Sequence, residues 1–181
     1  MKTIRIPSFP FLMLLGALLT GANAWSAQNA YLSLKANGAD VAGESSVASV
    51  GGVIVQDHIE CIAFNHEVFA DGSRRIHGPI KIVKRVDKSS PLLYKAFGNN
   101  EVIEGTFRFF RHNPDTSQLE HYFTIEIAQG HVSAIRHWFP NTADPASADY
   151  PQMEEISFTY ATIYFAHEIA FTETSLNWTN P

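Results

Sequence analysis

A chain of 181 residues with 45% hydrophobic and 12% aromatic content is long enough for one domain with its own core. A charged fraction of 17% with 13 Phe excludes a disordered chain, and a net charge of −5 with no basic run excludes a nucleic-acid partner. Cys61 is the only cysteine, which excludes an intrachain disulfide and a cysteine-based zinc site.

The chain opens like an exported protein. Lys2 and Arg5 form a positive start, and residues 11–19 are an apolar run too short to span a bilayer comfortably. Ala22-Asn23-Ala24 is a small-residue cleavage signal, so residues 1–24 are expected to be a signal peptide and 25–181 the mature chain. The rival reading is an uncleaved anchor, but no second apolar span follows, so no membrane contact is expected after cleavage.

Tyr31-Leu32-Ser33-Leu34-Lys35 alternates and predicts a first strand. Residues 36–52 are poor in large apolar groups and rich in Gly, Ala and Ser. They predict a long loop of the kind that partners order, with 39–52 unable to order alone and reaching a neighbouring subunit. Residues 53–55 and 59–69 predict strands, and Cys61 in the second is expected to be a small buried hydrophobe. Asp71-Gly72-Ser73 is a tight turn, and residues 76–86 a strand that Pro79 places at an edge or bulge. Ser90 suits a helix N-cap, Pro91 the first helical position, and Gly98 a left-handed end. Between them Leu92, Leu93, Ala96 and Phe97 predict one apolar face of a two-turn helix.

Strands resume with Phe107 and Phe109 on one face. The clearest alternation sets Leu119, His121, Phe123, Ile125 and Ile127 inward, with Glu120, Tyr122, Thr124 and Glu126 outward. Gln129-Gly130 predicts a turn into a further strand at 132–138. A second polar loop covers 140–152. Alternation restarts at Ile156 and runs on to Phe165, and 173–181 read as a short polar tail. The total is a mainly β (α+β) domain with its core at about 30–172. We expect a single-domain β-barrel of two antiparallel sheets, about eight strands, and one short flanking helix near 90–97.

Candidate chemistry is sparse. The eight His (58, 66, 77, 112, 121, 131, 137 and 167) show no H-x-x-x-H or H-E-x-x-H spacing, so packed or solvated roles are expected and no metal. Glu154 and Glu155 are adjacent, and on a strand they point to opposite faces, poor geometry for acid–base work. No G-x-S-x-G elbow or phosphate-binding glycine loop occurs. No catalytic residue, cofactor or metal site is expected, and the chain is not expected to be an enzyme.

Four blocks carry a family likeness. Lys84-Arg85-Val86-Asp87-Lys88-Ser89-Ser90-Pro91-Leu92-Leu93 runs from strand to helix. Ile59-Glu60-Cys61-Ile62-Ala63-Phe64-Asn65-His66 precedes it, and Tyr122-Phe123-Thr124-Ile125-Glu126-Ile127 follows. The last is Glu155 to Ile163, with Tyr160 five residues after the Glu and three before the Ile. In this order they resemble the Hcp family, the tube proteins of type VI secretion, across nearly all of the mature chain. The resemblance implies a two-sheet barrel with one flanking helix, a hexameric ring, and stacking of rings into a tube that carries effectors and meets spike and sheath proteins. It marks Asp87, Ser90, Pro91, Leu92, Leu93 and Tyr160 as motif residues with a structural role. A closed ring needs two different complementary patches, and Asp40, Glu44, Ser45, Ser46, Val50 and Glu155 are the expected interface residues. The leader also permits a different product, an exported periplasmic or extracellular Hcp-like binding module that builds no tube.

Overall fold

Strands dominate the chain, as expected. The computed structural model describes residues 30–147 and 150–178, so the leader assigned to residues 1–24 lies outside the described residues. In chain order the strands are β1 (Ala30–Ala36), β2 (Ala39–Asp40), β3 (Ser49–Val50), β4 (Val53–Ile54), β5 (Ile59–Cys61), β6 (Ala63–Asn65), β7 (Val68–Asp71), β8 (Arg74–His77) and β9 (Ile80–Arg85). Helix α1 (Ser90–Gly98) follows, then β10 (Ile103–His112), β11 (Leu119–Trp138), β12 (Met153–Thr159), β13 (Thr162–His167) and β14 (Thr172–Asn177). Seven strands of six or more residues carry the architecture.

Strand β1 sets the inside of the barrel. Leu32, Leu34 and Ala36 are buried while Ser33 and Lys35 face outward. It pairs antiparallel with β10, Leu32 opposite Phe107 and Leu34 opposite Gly105. Strand β10 pairs with the first half of β11, whose second half pairs with β12, and β12 pairs with β9. The two ends of this ladder meet through one short segment. β5 pairs with β1 and β6 with β9, and only Ile62 separates β5 from β6. The result is a barrel-like antiparallel fold with α1 against β11.

The core is built from the inward residues of the long strands other than β14, with Ile59 from β5 and Leu93 from α1: Leu32, Leu34, Ile80, Ile82, Phe107, Ile125, Ile127, Ile156, Phe158 and Ile163 complete it. Each such side chain contributes about 1.5–3 kcal/mol on full burial. A second, small cluster of Tyr31, Val55 and Phe110 lies on the opposite face of β1 and β10, with Val50 and Val53 packed against it. Cys61 is buried as expected, and burial pushes its thiol well above the ordinary range, which leaves it unreactive.

Four local expectations are corrected. Gln129-Gly130 is no turn between strands: β11 runs unbroken for 20 residues and bends there, with Gln129 at φ 53°. Its first half pairs with β13 and its second with β12, so this bend is the corner between the two halves of the sheet. The tail at 173–181 is in part a strand, because β14 pairs with β13 along six residues. Its side chains are all exposed, so the backbone ladder and not burial holds it. Pro79 does not sit within a strand but separates β8 from β9.

The fourth concerns the helix. It buries Ser90, Leu93 and Ala96, three apart, and leaves Leu92, Tyr94 and Phe97 exposed. The expected face of Leu92, Leu93, Ala96 and Phe97 is too wide, because the helix touches the barrel along a narrow stripe. Ser89 and not Ser90 is the N-cap residue, and it makes no capping bond. Asn100, at φ 51°, takes the left-handed position expected of Gly98. Gly98 therefore has ordinary helical backbone and open space where a Cβ would go. Replacing it with alanine is expected to raise stability by roughly 0.5–1 kcal/mol, read from chemical denaturation.

Candidate assembly surface and the buried network behind it

The strand-to-helix block is organised by one buried cation. Lys84 ends β9's inward alternation, yet it is fully buried. Its Nζ donates to Glu154 Oε1 at 2.7 Å, Asp87 Oδ1 at 2.7 Å, the Arg85 carbonyl at 2.8 Å and Ser90 Oγ at 3.2 Å. Ser90 Oγ in turn donates to Glu154 Oε1 at 2.6 Å and accepts the Asp87 N–H at 3.0 Å. Asp87 Oδ1 also accepts from the Ser89 N–H at 2.9 Å. Burial of a lysine is tolerated only when every donor is met and the charge is paired. Here Lys84 comes from β9, Asp87 and Ser90 from the helix entry, and Glu154 from β12, so the cluster pins α1 to two strands. Ser90 is recruited by this cluster and not by the helix cap, which is why the capping expectation fails.

The loop after β2 is ordered by its own chain, contrary to the expectation that 39–52 waits for a partner. The Gly43 and Ser45 N–H groups donate to the Asp57 and His58 carbonyls at 2.7 and 3.2 Å. Glu44 N–H donates to Asp87 Oδ2 at 3.3 Å, while Glu44 Oε1 accepts the Lys88 N–H at 3.0 Å. This sorts the expected interface residues. Asp40, Glu44 and Ser46 are exposed. Ser45 is buried, and Val50 packs toward Tyr31 and Phe110. Glu155 is half-buried on β12 opposite Arg136, while Glu154 beside it points inward, as strand alternation requires.

Large apolar side chains stand uncovered elsewhere. Leu92, Tyr94 and Phe97 line the outer side of α1, and Val68 and Phe69 lie on the β7–β8 hairpin. Phe171 is 91% exposed in the turn before β14 and holds φ 53°, a conformation bulky residues avoid. None of these side chains stands out in the sequence as a surface residue: each reads as core, and Leu92 and Phe97 were expected on the helix's covered face.

Among the described residues, His121, Thr124 and Glu168 form a hydroxyl–imidazole–carboxylate grouping. The buried Thr124 hydroxyl gives its single proton to Glu168, so His121 Nε2, 3.0 Å away, must donate to it. Burial, reinforced by Arg108 and opposed by Glu168, keeps the His121 ring below its usual value. A donating imidazole cannot take the hydroxyl's proton, so this geometry yields no activated nucleophile. Among the described residues no three His, Cys, Asp or Glu side chains gather as a metal site. Tyr160, read as a structural motif residue, has two partners that sequence spacing hides. His66 Nε2 lies 2.6 Å and His77 Nδ1 2.9 Å from its hydroxyl.

The geometry defines a barrel-like β domain with a pinned flanking helix and apolar side chains uncovered on helix, hairpin and turn. The family profile described as "Type VI secretion system effector, Hcp" matches residues 31–167. The major exported protein of Pseudomonas aeruginosa is 30% identical over 166 residues, which cover 84% of this chain and 96% of that one. Among solved structures, a crystal structure of an Hcp protein has a TM-score of 0.74 at 23% identity, covering 86% of this chain and 100% of that chain. The secreted protein Hcp3 from Pseudomonas aeruginosa has a TM-score of 0.69 at 26% identity, covering 85% and 100%. The chain belongs to the Hcp family of type VI secretion proteins.

Proposed function

We propose that this chain closes into a ring of six copies, and that the rings stack into a secretion tube carrying effector proteins. The observation that carries this reading is the family match across residues 31–167. The surface supports it. A closed heterologous ring needs two unlike patches, and the subunit offers uncovered apolar groups on separate elements, α1 and the β7–β8 hairpin. Exposed Asp40, Glu44 and Ser46, with half-buried Glu155, supply polar contacts. Spike, sheath and effector proteins are the further partners. The role is structural, not enzymatic, and the protein works outside the cell once the machine fires.

Purified chain starting at Trp25 is expected to elute as a hexamer and to show rings by negative-stain microscopy. A chain that stays monomeric at high concentration overturns the ring. Leu92→Glu with Phe97→Glu places two charges on the outer helix side. It is expected to weaken assembly at least about tenfold in sedimentation velocity while leaving the monomer's melting temperature within a few degrees.

A second reading rests on the leader-like start, Lys2 to Ala24. Cleavage there would deliver the subunit to the periplasm or beyond as a binding module that builds no tube. N-terminal sequencing of native protein separates the two, since a start at Trp25 recovered from periplasm favours the module.

A further inference from the structure

The β7–β8 hairpin is joined to the barrel at its feet. Its strands pack chiefly on each other, and residues 67–75 are all exposed. His66 lies between β6 and β7, two residues before β7, and His77 ends β8, so one imidazole stands at each foot. Both reach the same phenol, Tyr160 in the link between β12 and β13. The Gly78 N–H donates to the Glu67 carbonyl at 2.8 Å across the feet. Trp178, just beyond β14, packs on His77 with ring centroids 4.3 Å apart, and Phe165 stacks on His66 at 6.0 Å.

The bonding in this cluster depends on charge. A phenol has one proton to give and can accept others. With both rings neutral, Tyr160 donates to one imidazole nitrogen and accepts the N–H of the other, and every facing group is satisfied. A proton added to the accepting ring turns both facing nitrogens into donors and strands the phenol's own proton. A second charge would then lie on rings whose centroids are 6.4 Å apart. The surroundings favour the neutral form. Burial holds His66 and His77 below the ordinary imidazole value, with His77 adding to the effect on His66, and burial lifts Tyr160 to about 12. Glu67 before β7, Asp71, Arg74 and Arg75 on the hairpin, Lys81, Lys84 and Arg85 on β9, Glu154 and Glu155 on β12, His167 on β13 and Glu173 on β14 are the other titratable or charged side chains of the elements that meet here. None of them forms a hydrogen bond or ion pair with either ring among the described contacts.

We propose that His66, Tyr160 and His77 form a proton-sensitive latch that sets the β7–β8 hairpin on the barrel, so that assembly of copies of this chain weakens in mild acid. The sign follows from where the proton goes. The latched rings are neutral, and freed rings take up protons near the ordinary imidazole value of about 6.5. The latch is therefore at full strength above that value and is lost as the pH falls through it, more steeply than one histidine would give. The effect on assembly rests on the ring reading above; the latch itself does not.

The test follows hydrogen exchange of the Gly78 amide, and ring content by sedimentation, at pH 7.5 and 5.5 in the chain starting at Trp25. The protection factor, which removes the intrinsic effect of pH, is expected to fall at least about tenfold at pH 5.5 in the wild type. His66→Gln with His77→Gln cannot titrate and is expected to show the same protection at both values. Tyr160→Phe, lacking the hub, is expected to be open at both. Unchanged protection in the wild type, or an equal fall in the double glutamine variant, overturns the latch. Rings absent at both pH values overturn the ring reading instead, and amide exchange in the monomer still decides the latch.

Discussion

Replacing Lys84 with methionine is expected to remove about 3–5 kcal/mol of folding stability, roughly 6–20 °C in melting temperature for a domain of this size. The ammonium is the sole cation between Glu154 and Asp87, whose side chains are 1% and 10% exposed. Methionine fills similar space but leaves two carboxylates facing each other's charge in a dry site. It also removes the donor that Lys84 gives to the Arg85 carbonyl. The loss should be larger than any surface ion pair can explain, since exposed pairs such as Arg85–Glu60 are worth about 0–1 kcal/mol. Adding Glu154→Leu to Lys84→Met removes the second charge as well and is expected to recover a good part of the loss. A double-mutant cycle by urea denaturation gives the coupling. A Lys84→Met protein within 1 kcal/mol of wild type would show that the network does not hold helix to barrel.

Gly130→Ala is expected to cost about 1–3 kcal/mol, and Gly130→Val more, by overpacking the corner of β11. A Cβ at this position would lie 2.2 Å from the Thr159 carbonyl oxygen and 3.2 Å from Ile103 Cγ1. The carbonyl belongs to the β12 backbone beside the His131–Thr159 pair, so it cannot swing aside as a side chain would. Relief requires β12 to slide away from β11, which disturbs the buried Phe158 and Ile156 next in that ladder. Urea unfolding of the alanine variant measures the cost. Stability equal to wild type would mean that the corner is looser than this geometry allows. The contrast with Gly98→Ala isolates the cause, because there the added methyl meets nothing.

The period-2 pattern of 119–127 was legible because one side of that strand meets the core, and Ile125 and Ile127 are buried as expected. The pattern is less reliable at the strand's start. Leu119 and Phe123 were both expected inward, yet Leu119 is exposed and Phe123 only partly buried. Thr124, expected outward, is buried because Glu168 and His121 meet its hydroxyl. The Asp-Lys-Ser-Ser-Pro run announced a helix start within a residue of where it lies. It could not announce that Ser90 would serve a lysine and a glutamate instead of the cap. For the proposed assembly surface, the sequence points to Asp40, Glu44 and Ser46, which are exposed. It gives no sign of Val68, Phe69, Tyr94 or Phe171, because a large apolar residue carries the same pattern whether it faces its own core or a partner.

The local features are those the sequence holds alone: strand alternation, the glycine and proline breaks, the helix start, and the family blocks from residue 59 to 163. They are legible because backbone periodicity and turn chemistry act between near neighbours. Tertiary structure alone decided the rest. It joined Lys84 to Glu154 across 70 positions, and His66 and His77 to Tyr160 across 94 and 83. It also made one bent strand of β11, gave the tail a ladder on β13, and chose which side of α1 is covered. Those outcomes depend on which elements meet, and a contact between distant residues leaves no period in the chain.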